Sequence, residues 1–175
     1  MPLYLATHTN GGGAWYQVTE WSTIWGLLFV VTVFGNVFWG RMGDCFGWMS
    51  QMRWWGCWLS ALGTLAMYYV PQLGHNLPFM YVCAVVLGMG ISAFVPMGAV
   101  FPALEPEHKG AAVSAHNLAS GLTTFCGPFI ATVLLNTVGF AGVCWAYAIC
   151  YISGSVISFW IRPEQPGITR KVAAN

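Results

Sequence analysis

The sequence predicts an all-α membrane protein, a bundle of hydrophobic helices, and three observations carry that prediction. Of 175 residues, 57% are hydrophobic and only 6% are charged, where a soluble domain carries roughly 25% charged residues. Ten Trp, eleven Phe and seven Tyr are more than so short a chain can hide from water in a soluble core. The eleven charged residues leave three uncharged stretches, 21–40, 54–104 and 110–161, of 20, 51 and 52 residues. Lipid demands that backbone groups be satisfied within helices or a closed barrel. These stretches far exceed the roughly ten residues of a barrel strand and do not alternate polar with apolar. Helices are predicted.

Residues 1–6, Met1-Pro-Leu-Tyr-Leu-Ala6, are apolar but too short to cross, and polar sequence from His8 follows. They read as the outer end of a truncated span, and no basic region of a signal peptide precedes them. The stretch 21–40 is one crossing, about 30 Å as a helix. The two longer stretches must each fold back once. Pro71-Gln-Leu-Gly-His-Asn-Leu-Pro78 divides one into spans 54–71 and 78–104, and Asn136-Thr-Val-Gly139 with Gly142 divides the other into 111–135 and 141–161. Such Pro, Gly and Asn clusters supply turn geometry. Pro96 and Pro102 each remove a helix hydrogen bond, so the 78–104 helix should bend or unwind locally. Between 93 and 117 the charges Glu105, Glu107 and Lys109 mark a turn at a membrane surface.

With five crossings, loops 41–53 and 105–110 and the tail 162–175 share one side. That side holds Arg41, Arg53, Lys109, Arg162, Arg170 and Lys171, which are all six basic residues. The positive-inside rule makes it cytoplasmic. The expectation is a multi-pass protein of the inner (plasma) membrane with its C-terminus in the cytoplasm. An odd span count with an outside N-terminal segment points to a piece of a longer protein.

A net charge of +1 without a basic run excludes a nucleic-acid footprint. The six cysteines form no CxxC pair and read as small packing residues, so neither a metal nor a cofactor is expected. His8 and His75 read as exposed loop residues. No acid or base sits at mid-membrane, where a charge costs roughly 2.5–3.5 kcal/mol and marks proton relays. Any proton coupling is expected from outside these spans, with His116 as a hydrogen-bonding residue. No Asp pair, Ser/His dyad or ligand cluster is spaced for catalysis, and the chain does not read as an enzyme.

At about 100° per residue, His116, Asn117, Ser120, Thr123 and Thr124 share one helix face. In lipid such a stripe faces protein or water. Two readings stand: it lines a water-filled cavity, or it makes interhelical hydrogen bonds worth under about 1 kcal/mol each. Trp25, Phe29, Thr32 and Asn36 share a face of the first full span. Rings against C–H faces, with amides and hydroxyls bonding hydroxyls, suit a neutral polyol; plain lipid or core contact is the alternative for the rings. Small residues four apart, such as Gly56, Ser60 and Thr64, are assigned to close helix contact.

The loop Gly40-Arg-Met-Gly-Asp44-Cys-Phe-Gly47, followed by Arg53, is the candidate gating loop. Gly47 allows a sharp turn, Asp44 can accept from helix N-terminal amides, and Arg53 can anchor to headgroups or a carboxylate. Its Gly-x3-Asp-x2-Gly spacing resembles the signature loop of the major facilitator superfamily, twelve-span transporters built as two six-span halves. Cys45, Trp48 and Met49 stand where that loop is usually basic, which fits the weaker copy in the second half and weakens a gating role. Within the superfamily the chain is similar to the polyol permeases for ribitol and D-arabinitol. The resembling residues are Asn36-Val-Phe-Trp-Gly40, Gly74-His-Asn76, Ala93-Phe-Val-Pro-Met97, Ala99-Val-Phe-Pro-Ala-Leu-Glu-Pro106, His108-Lys-Gly-Ala-Ala112 and Arg162-Pro-Glu-Gln-Pro-Gly167.

That resemblance implies a C-terminal half in which the five spans are the eighth to the twelfth, residues 1–6 end the seventh, and the N-terminal half is missing. It further implies secondary active transport of a small polyol by alternating access, with a proton co-substrate. Organic acids or other sugars are alternative solutes, although the spans hold no Arg or Lys to pair with a carboxylate. A five-span assembly protein without a cavity is the alternative from another class.

Overall fold

The computed structural model of the chain describes residues 16–165, and helices with short connections make up all of it. The expected span end at 1–6, His8, and the tail beyond 165 with Arg170 and Lys171 lie outside the described residues. Helix α1 (Val18–Phe46) opens with the Gln17 N–H donating to the Glu20 carboxylate at 2.8 Å, which satisfies one orphan donor of the helix start. It runs six residues past the uncharged stretch because nothing breaks it before Gly47, whose φ of 98° only glycine adopts without strain. The expected loop 41–53 is therefore corrected to a one-residue break.

From Trp48 the chain is helical again: α2 (Trp48–Gln51), a π-helical turn (Met52–Cys57) and α3 (Trp58–Tyr69) follow without interruption. Pro71 and Gly74 then end the run in a 3-10 turn (Val70–Leu73). Helix α4 (Leu77–Ser92) starts on an Asn76 cap that accepts from the Phe79 N–H at 3.4 Å, with Pro78 in its first turn, where the absent N–H costs nothing. Residues 93–96 form a turn that ends on Pro96, and α5 (Met97–Leu104) carries the chain on through Pro102. The expected local unwinding thus falls at Pro96, with Pro102 accommodated inside a helix.

Helix α6 (Lys109–Ile157) changes direction at Gly139, whose φ of 71° and ψ of −168° are non-helical. Its arms 109–138 and 140–157 lie side by side, since the Tyr147 hydroxyl donates to the Gly127 carbonyl at 2.7 Å. The second arm ends at Ile157, before the charge at Arg162 that set the expected limit of 161.

Helix α4 is the centre of the bundle, packed on α1 and on α3, while α6 packs on α3 and α5. Ile24, Leu28, Met67, Met80, Ala84, Leu87 and Phe140 form the shared core. Close approach of α3 and α4 depends on two glycines. A Cβ on Gly63 would come within 2.8 Å of the Leu87 Cα, and one on Gly90 within 2.6 Å of the Ser60 nitrogen. Outside that core the apolar surface is open: Phe34 and Phe125 are each 72% exposed. Three helical stretches, Val18–Phe46, Leu77–Leu104 and Lys109–Ile157, are long and apolar enough to cross a membrane.

Candidate functional site: a polar helix face beside a bonded turn

The first set of candidate binding residues stands on one face of α1. Trp25 is half-buried against the core, and its indole nitrogen is enclosed with no hydrogen-bond partner among the described residues. The Phe29 ring lies 6.3 Å from it and is 63% exposed. The Thr32 hydroxyl donates to the Leu28 carbonyl at 2.8 Å, and Asn36 is exposed. On this face Phe29 and Asn36 are open to the outside, whereas the Trp25 indole nitrogen is turned inward.

The second set occupies arm 109–138. His116 is half-buried with its ring 5.0 Å from that of Phe101, while Asn117, Ser120 and Thr124 are exposed. The Thr124 hydroxyl donates to the Ser120 carbonyl at 3.0 Å and Thr123 donates to Ala119 at 2.8 Å. Both hydroxyls thereby spend their protons on their own helix and offer lone pairs outward. Thr123 also lines a crevice of about 490 Å³ with Met97 and Tyr147. The structure does not bring the two sets together: α1 packs along α4, and arm 109–138 packs along α5.

The candidate gating residues gather where α1 meets α2. Gly47 makes the break, Gly40 is half-buried inside α1, and the Asp44 carboxylate accepts from the Trp48 indole N–H at 3.3 Å. That contact replaces the expected bond from Asp44 to helix-end amides. Among the described residues, Arg53 meets Ser158 and Phe159 and no carboxylate. Its guanidinium donates to the Ser158 hydroxyl at 2.8 Å and the Ser158 carbonyl at 2.6 Å, and stacks over Phe159 at 3.8 Å. Ser158 follows α6 directly, so Arg53 satisfies an orphan carbonyl at a helix C-terminus.

Two buried glutamines escaped sequence reading. The Gln165 side-chain oxygen accepts from the Trp48 N–H at 2.8 Å and its nitrogen donates to the Gly43 carbonyl at 2.9 Å. One amide thus caps the start of α2 and the end of α1 together. Gln51, 3% exposed, donates to the Ala93 carbonyl at 3.1 Å. The available signal was an uncharged amide in apolar surroundings, which residue type alone does not separate from a surface glutamine.

Away from this end, His75 is exposed but not idle. Its ring meets the Glu20 carboxylate at 3.1 Å and packs against Tyr16 at 4.9 Å. The Tyr16 hydroxyl accepts from the Asn76 N–H at 3.3 Å, and burial raises its pKa above the usual phenol value. Among the described residues, Glu105, Glu107 and His108 bring potential ligand atoms within 4.8 Å of one another, and all three are exposed.

The family model of the Major Facilitator Superfamily matches residues 1–174. The chain is 49% identical over 155 residues to the ribitol transporter of Klebsiella pneumoniae, covering 88% of this chain and 36% of that protein. It is 45% identical over 159 residues to the D-arabinitol transporter of the same organism, covering 90% and 37%. It is 37% identical to the alpha-ketoglutarate permease of Bacillus subtilis (strain 168), covering 90% and 35%. The chain thus spans little more than a third of the length of these relatives. No solved structure matches it significantly. The chain belongs to the major facilitator superfamily, a family of multi-pass membrane transporters rather than enzymes.

Proposed function

We propose that this chain is the C-terminal half of a secondary active transporter that moves a small polyol, such as ribitol or D-arabinitol, by alternating access. The observation that carries this reading is the similarity, at 45 to 49% identity, to two proteins named for those two solutes. In it, five helical crossings run from α1 to the second arm of α6. The Gly47 turn and the C-terminus face the cytoplasm, with all six basic residues on that side. A further N-terminal half completes the pathway and carries the proton co-substrate. The exposed faces of α1 and arm 109–138, with Phe29, Asn36, Asn117 and Ser120, line the passage. Aromatic, amide and hydroxyl groups suit a neutral solute whose only polar groups are hydroxyls.

A second reading takes an organic anion as solute, favoured by the 37% identity to an alpha-ketoglutarate permease. The uncharged spans speak against it, since a buried carboxylate calls for a cationic partner. The test is uptake by the full-length protein of labelled ribitol, D-arabinitol and 2-oxoglutarate, with and without an uncoupler. Saturable, uncoupler-sensitive ribitol or arabinitol uptake is expected. Uptake of 2-oxoglutarate alone overturns the polyol reading, and ribitol uptake by cells expressing only this chain overturns the half-transporter reading.

A further inference from the structure

The break in the 77–104 helix takes the Ala93 carbonyl out of the helical ladder. Pro96 has no N–H to give the carbonyl of Ser92, which takes the Val95 N–H at 3.2 Å instead. The Met97 N–H bonds Phe94 at 2.9 Å, and so the Ala93 carbonyl is released from its usual partner four residues on. A buried carbonyl in that state demands a donor. The donor is the Gln51 amide, from the turn of helix after Gly47.

Gly43 makes the contact geometrically available. A Cβ at Gly43 would lie 2.9 Å from the Gln51 side-chain oxygen and 3.2 Å from Pro96 Cγ. Glycine, glutamine and proline from three separate segments therefore interlock at one point. Beyond the break, α5 leads into arm 109–138 and holds it through the Phe101–His116 ring contact. The angle at 93–96 sets where Asn117, Ser120 and Thr124 stand relative to α1.

We infer that Gln51 is a positioning residue: by occupying the Ala93 carbonyl it locks the hinge at Pro96 and so fixes the polar face of arm 109–138. The functional consequence rests on the transport reading above; the lock itself does not. Gln51 is buried and stands apart from the candidate binding residues. Its release frees α5 and the polar arm to swing together, which makes this hydrogen bond one that the two end states of a rocking cycle can make and break.

The test is residue-resolved amide hydrogen exchange on the intact protein in lipid nanodiscs. Gln51→Met keeps the side-chain length and loses the donor. Exchange at Phe94, Val95 and Met97 should rise about tenfold, while the amides around Ile24 and Leu28 in α1 stay within about twofold. Pro96→Ala restores the N–H of residue 96 and lets Met97 reach the Ala93 carbonyl. Alone it should slow exchange over 94–97, and combined with Gln51→Met it should reduce the glutamine effect to less than about twofold. Equal acceleration in α1, an unchanged hinge, or full additivity of the two substitutions overturns the lock. Should Gln51→Met fail to fold, Pro96→Ala alone decides, because unslowed exchange at 94–97 means no open hinge to be held. Exchange is read without solute, so an absence of ribitol uptake by the unsubstituted protein counts against the transport reading only.

Discussion

The turn around Gly47 and the polar face of arm 109–138 are both polar islands in apolar sequence, and they are treated oppositely. At the turn, Arg53 and Gln165 each bridge two elements, and Gln51 bonds a carbonyl across the bundle. On the arm, Asn117, Ser120 and Thr124 are exposed, and the Thr124 hydroxyl bonds a carbonyl of its own helix. Polar groups bonded between elements hold architecture, because removing either partner strands the other in a poor solvent. Polar groups left open on an otherwise greasy helix need water or solute to offset their transfer from water. The contrast separates the scaffold from the surface on which function is proposed.

The sharpest way to break that contrast is Arg53→Met. The stem remains while two charge-assisted hydrogen bonds and the ring contact are lost, leaving the Ser158 carbonyl unpaired. A stability loss of about 1.5–3 kcal/mol is expected from denaturant titration in mixed micelles. Arg53→Lys, which keeps the charge without the planar fork, should recover only part of it. An Arg53→Met titration superimposable on that of the unsubstituted protein means the turn is not scaffold.

Gln165→Leu should cost somewhat less, about 1–2 kcal/mol, by uncapping Trp48 and Gly43 together. It should also raise protease cleavage between Phe46 and Met49, a local readout that a general loss of stability does not confine to one site.

Asn117→Ala and Ser120→Ala sharpen the comparison from the other side. Both residues are exposed, and stability should stay within about 0.5 kcal/mol. Solute uptake by the full-length protein should nonetheless fall, as a raised half-saturation concentration. Losses of stability as large as those at the turn would make the stripe packing instead.

Much of the helical layout could be read from charge placement and turn chemistry. Gly139, at the predicted fold-back, supplies a backbone conformation closed to other residues, and Pro96 interrupts the helix at the break expected of it. The boundary at 40 could not be read. Arg41 and Asp44 are compatible with a helix end in water, so charge marks where lipid stops and not where the helix stops. The contact of Arg53 with Ser158 spans 105 residues in sequence, and no local pattern announces such a pairing. Trp25 shows the same limit: helix periodicity assigns its face, but only packing decides that the indole nitrogen is enclosed.

By itself the sequence determined that this protein is a set of apolar helices, where the chain must turn, and which residue types each helix face displays. Those properties follow from hydrophobic run length, backbone stereochemistry and the helical repeat, all of which act over a few residues. Only the tertiary structure decided that Gln51 meets Ala93, that Gln165 caps two helix ends, and that α1 and arm 109–138 present separate faces. Those outcomes depend on which helices pack together, and apolar surface, being non-directional, favours burial without choosing the partner.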